Sequence, residues 1–141
     1  MYHFTSREQL LLIHKDQKIL KGDVPLTPQG GYNAPWLTVD GEWGNQGWAK
    51  SVLDKRAVRL TVQVPPDHPL LHHWHDICRE HKVDDFWRQA LAKIDGVPME
   101  DVNWYVFHGA IPWSWVITVD FRGEPRGCWG VGLSQSEVNT Q

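Results

Sequence analysis

The segment KRAVRLTVQV, residues 55–64, constrains this chain more than any other stretch. Val58, Leu60, Val62 and Val64 alternate with Ala57, Arg59, Thr61 and Gln63. A period of two puts one set on each side of an extended strand, so this segment predicts a strand with an aliphatic face and Arg59 on the opposite face. Such a strand is stable only inside a sheet, and the rest of the chain has to supply its partners.

Four further segments read as strands: Tyr2 to Thr5, Trp36 to Val39, VNWYVF at 102–107 and WSWVITVDF at 113–121. In the first, Tyr2 and Phe4 are expected to anchor the core and His3 and Thr5 to face the other way. Ser6-Arg7-Glu8-Gln9 fits a capping box that opens a helix with Leu10, Ile13 and Leu20 on its apolar side and Gly22 at its end. GDVPLTPQGGYNAP, 22–35, reads as an irregular loop, and DGEWGNQGW, 40–48, as a second loop that exposes Trp43 and Trp48.

Pro69 suits the first turn of a helix capped by Asp67 or His68, with Leu70, Trp74, Ile77, Cys78 and His81 along one face. Another helix is predicted from Asp84 to Ile94, using Phe86, Trp87, Ala90, Leu91 and Ile94, with Gly96 as its stop. The order β-α-β-β-α-α-β-β predicts a single α+β domain over residues 1–125, with an N-terminal helix, two central helices and a mixed or largely antiparallel split sheet. Residues 126–141 read as a Gly-rich, flexible tail.

A chain of 141 residues with a net charge of -3 carries no broad basic footprint, which disfavours nonspecific nucleic-acid binding as its main role. No apolar run approaches the ~20 residues of a membrane span. The N-terminus shows no basic-then-apolar leader, and Cys78 and Cys128 are too few for a disulfide framework, so a cytoplasmic protein is expected.

His68, His72, His73, His75 and His81 crowd around Cys78, but no second ligand pair with zinc spacing accompanies them, and a polar helix is the expected reading. Cys78 lies on the apolar side of its helix and Cys128 in the tail, so neither reads as a nucleophile. The Gly-rich stretches do not lead from a strand into a helix, which excludes a phosphate loop of the usual kind. What remains is a set of polar residues on or beside strands: His3, Thr5, Thr38, Arg59, Asn103 and Tyr105. They can present an imidazole, hydroxyls and a cation to a ligand beside the sheet.

YHFTS followed by REQLLLI resembles the opening of ADP-ribosyltransferase-like domains. APWLTVD, AVRLTVQVP and WYVFHGAIPWSWVITVD resemble that family's later strands and its Gly-x-Ile-Pro turn, in order, over residues 1–121. The resemblance implies the family's fold, NAD as substrate, and transfer of single ADP-ribose units to a protein or nucleic-acid acceptor. It implies that His3 hydrogen-bonds the nicotinamide ribose beside Thr5, that Trp36 walls the pocket with Thr38 and Tyr105 near it, and that Arg59 meets a phosphate or braces the cleft. The family's acid is expected at the start of the late strand, where this sequence has Trp104 between Asn103 and Tyr105. Asn103 and the upstream Glu100 are therefore the candidates for the catalytic position. The alternative is a non-catalytic binding module on the same fold, meeting a partner through Trp43, Trp48, Trp113 and Trp115.

Overall fold

A computed structural model of the chain describes residues 1–20, 22–43, 56–94, 97–98 and 101–123. Trp48, Gly96, Glu100, Cys128 and the 126–141 tail lie outside the described residues.

The chain opens with β1 (Tyr2–Thr5) and α1 (Arg7–Asp16), then short β2 (Lys18–Ile19), β3 (Asp23–Thr27), β4 (Gly30–Asn33) and β5 (Trp36–Thr38). β6 (Val58–Val62) and β7 (Leu71–His73) precede α2 (Trp74–Glu80) and α3 (Asp85–Leu91). β8 (Lys93–Ile94), β9 (Val97–Pro98), β10 (Trp104–Phe107), β11 (Ile111–Pro112) and β12 (Val116–Phe121) complete the order.

The main sheet has six strands in the order β12-β6-β1-β5-β10-β7, and every pairing in it is antiparallel. Three two-stranded ribbons, β2 with β11, β3 with β4 and β8 with β9, flank it. The α+β class and the largely antiparallel sheet follow the sequence expectation. β6 lies between β1 and β12, with Val58, Leu60 and Val62 buried as their alternation requires.

Each face of the sheet has its own core. Leu10 and Ile13 of α1 pack on Leu37, Val58, Leu60, Val62, Phe107, Val119 and Phe121. On the other side Trp74, Ile77 and Cys78 of α2, with Val24 and Ala34 from the β3–β4 region, pack on Trp104 and Val106. Ser6 starts α1 as expected: its Oγ accepts from the Gln9 N–H at 3.1 Å. Gln17 ends it in the left-handed region at φ 59°, so Leu20 falls beyond the helix and is exposed.

The register reverses the expected faces of β1. His3 pairs with Leu60 and Thr5 with Val58, so both turn toward α1, while Tyr2 and Phe4 share the other face with Arg59 and Thr61. The expected 22–35 loop is instead the β3–β4 hairpin. Residues 71–73 form the edge strand β7, and α2 begins only at Trp74, with His73 as its cap. His81 is the exposed C-cap of α2 rather than part of its buried face. Asp84 caps α3, which stops at Leu91; Phe86 points into solvent at 81% exposure.

Candidate functional site

The described site residues divide between two faces of the sheet. His3, Thr5 and Tyr105 lie on the α1 side: Tyr2 opposes Thr38, which sets Leu37 beside His3, and Leu37 opposes Tyr105, which opposes His73. The row therefore runs His3–Leu37–Tyr105–His73 across four strands. His3 donates its Nδ1–H to the Trp36 carbonyl at 2.8 Å. A carbonyl only accepts, so this bond fixes the proton on Nδ1 and makes Nε2 an acceptor. Burial pushes the His3 pKa down, against a smaller upward pull from that carbonyl, and keeps the ring neutral. Tyr105 is half-buried, its ring edge-on to His73 at 4.9 Å.

Trp36, Thr38 and Arg59 turn to the other face. The Trp36 ring meets Trp74 at 5.0 Å and Trp104 at 5.8 Å, and its Nε1–H donates to Asp23 O at 2.6 Å, so it is a packing residue of the α2 core. Thr38 is buried, and its hydroxyl accepts from the Asp40 N–H at 3.0 Å. Arg59 spends its guanidinium on Gly41 O at 2.8 Å and Asp120 Oδ2 at 3.1 Å, and packs over the rings of Trp43 and Tyr2. The sheet thus does not gather the six proposed NAD contacts into one pocket.

Asn103 ends a short 3-10 turn ahead of β10, where its main-chain oxygen accepts from Val39 N–H at 3.1 Å. The carboxylate of that turn is Asp101, which is buried between Arg88 Nη1 at 3.0 Å and His75 Nε2 at 2.9 Å. These contacts tie α2, α3 and the turn together. Of the tryptophans expected at the surface, the three among the described residues are packed: Trp113 is buried, Trp115 lies against Phe107, and Trp43 against Phe4.

A cleft of about 530 Å³ opens at the end of the sheet where β5 begins and β10 ends. Tyr32, His81, His108, Asn33, Leu20 and Pro35 are among its walls. The Tyr32 hydroxyl and His108 Nε2 are 2.7 Å apart, and the His72 ring lies 4.4 Å from that of His108. Burial, then Glu80 and Cys78, raise the Tyr32 pKa, while burial and then His72 lower that of His108. Both groups are therefore neutral near pH 7, and the phenol donates to Nε2 in the Nδ1–H tautomer of His108 and accepts from it in the Nε2–H tautomer. Tyr32 and His108 were hidden from sequence reasoning because one sat in a supposed loop and the other in a turn. The signal was a pair of polar aromatic residues in two Gly-containing segments, GGYN and FHGA.

Among the described residues no group of three or more His, Cys, Asp or Glu side chains can hold a metal ion, and no helix is long and apolar enough to cross a membrane. In comparison with known proteins, the chain matches no family model, no curated protein and no solved structure.

Proposed function

We propose that the chain binds NAD and transfers ADP-ribose to a protein or nucleic-acid acceptor, with His3 at the nicotinamide ribose. The observation that carries this reading is the His3–Trp36 bond, which leaves Nε2 as an acceptor of fixed direction. A ribose hydroxyl is a donor that suits it. Thr5 and Tyr105, on the same face, add two hydroxyls. In donor and acceptor type this set matches the ribose end of NAD. It does not fit the pyrophosphate, because Arg59 faces the other way and is paired with Asp120.

In the reaction the bond from ribose C1 to nicotinamide breaks and an acceptor nucleophile takes the carbon. Orientation of the ribose is the contribution these residues offer. Asn103 can contribute only an amide dipole to the developing positive charge, and Glu100 remains the carboxylate candidate.

The test is a thermal melt with NAD. Ligand at about 100 times its Kd stabilises a fold by about 2.7 kcal/mol. NAD should raise Tm, His3→Ala should abolish the shift, and chromatography should detect free nicotinamide. Absence of both shift and nicotinamide defeats the proposal.

The non-catalytic module is a second reading, favoured by the burial of His3 and Thr5, which are only 6% and 5% exposed. It expects NAD to leave both Tm and nicotinamide unchanged while a macromolecular partner binds stably.

A further inference from the structure

We infer that the Tyr32–His108 cleft is a binding site for a phosphate-type oxyanion, loaded together with a proton on His108. This site is separate from the His3 row and does not rest on the NAD reading. Four elements converge on it: Tyr32 comes from β4, His72 from β7, Glu80 and His81 from the end of α2, and His108 from the turn after β10. His81 and His108 line the cleft itself, together with Asn33.

The hydrogen bond between Tyr32 and His108 has two possible directions. In the Nδ1–H tautomer of neutral His108, Nε2 offers a lone pair and the phenol O–H points at it. When His108 gains a proton, Nε2–H donates to the phenol oxygen instead. The Tyr32 O–H is then released and can turn toward a bound anion. One proton thus supplies both a positive charge and a reoriented donor.

The surrounding charges set when this happens. His72 and His81 disfavour the proton on His108, Glu80 favours it, and burial disfavours it most. A bound oxyanion offsets the repulsion among the imidazoles and replaces water as the partner of the charged ring. Binding and proton uptake are therefore coupled: acid strengthens the site, and the anion raises the His108 pKa. Leu20 and Pro35 add an apolar wall beside the polar groups, which suits the organic part of a phosphorylated small molecule.

The test uses the full chain, with sulfate as the first probe because its charge is constant across the imidazole range. Calorimetry in two buffers of different ionisation enthalpy should show proton uptake at about pH 6, and affinity should fall roughly ten-fold or more by about pH 8. Ring ¹H–¹⁵N spectra of the unmutated protein should show His81 and His108 shifting and His14 unmoved. His108→Gln should remove the proton uptake. Tyr32→Phe should keep the uptake and weaken the anion.

Inorganic phosphate and AMP separate the two sources of the anion: equal affinity identifies free phosphate, and tighter AMP identifies a phosphorylated metabolite. Sulfate binding without proton uptake, or no shift of the His81 and His108 signals at about pH 6, overturns the proposal.

Discussion

The Nδ1–H of His3 on β1 donates across 2.8 Å to the main-chain oxygen of Trp36 on β5, inside a face otherwise filled by Leu37, Leu60 and Val58. Burial lowers the His3 pKa in the folded chain below the ordinary 6.5. A group with a depressed folded pKa contributes stability that is complete above its unfolded value and is lost as pH falls toward the folded one. Urea unfolding should therefore show stability falling as pH drops below about 6.5, the unfolded His value. His3→Gln, which cannot be protonated there, should flatten part of that fall. Equal slopes for the two proteins would show that His3 does not control it.

Arg59 and Asp120 face one another on β6 and β12, and the carboxylate is nearly closed off from water. Asp120→Ala leaves the guanidinium half-covered with one acceptor lost, a change expected to cost about 2 kcal/mol, typical of hydrogen bonds to charged groups. Arg59→Lys should also destabilise, because an ammonium cannot reach Gly41 O and Asp120 together as the planar fork does. A double-mutant cycle read by denaturant unfolding measures the coupling. Additive losses would mean the pair is not energetically linked.

Cys78 is buried against Trp74 and Val106, and its thiol is pushed up to about 11, chiefly by burial. The thiolate is the reactive form, so the native protein should alkylate very slowly at this position near neutrality and faster as pH rises. Peptide mapping after iodoacetamide should find Cys78 unmodified in the folded chain and modified in urea. Rapid native labelling would contradict the packing.

Ser6 is fully buried while capping α1. Ser6→Ala leaves the Gln9 N–H without that acceptor and should cost about 1 kcal/mol. The far-ultraviolet signal and the urea midpoint report it, and an unchanged midpoint would mean that another group replaces the cap.

Much of the fold was legible where one local signal dominated. The alternation in β6 and the Ser6 cap each arise from a few neighbouring residues and agree with the structure, and the helix expected from Asp84 starts one residue later, at Asp85. The faces of β1 were not legible, because both sides of this sheet are covered. Tyr2 and Phe4 look more apolar than His3 and Thr5, yet the pairing with Leu60 and Val58 decides the orientation. The 22–35 hairpin was masked by its Pro and Gly residues, which are compatible with a short, peripheral ribbon. Residues 71–73 read as helix because their periodicity runs into Trp74, whereas pairing with β10 draws them into the sheet. The site residues divided between faces for the same reason: a strand's polar residues can be identified locally, but their common side depends on distant partners.

The order of the six strands has a consequence for synthesis on the ribosome. No two neighbours in the sheet are consecutive in the chain, and β6 receives its outer partner only from residues 116–121. A nascent chain that has released β1, β5 and β6 must hold an unsatisfied strand edge until β12 emerges. That interval is a period of exposure to intermolecular strand pairing, and the rate of elongation over residues 63–115, between β6 and β12, sets its length.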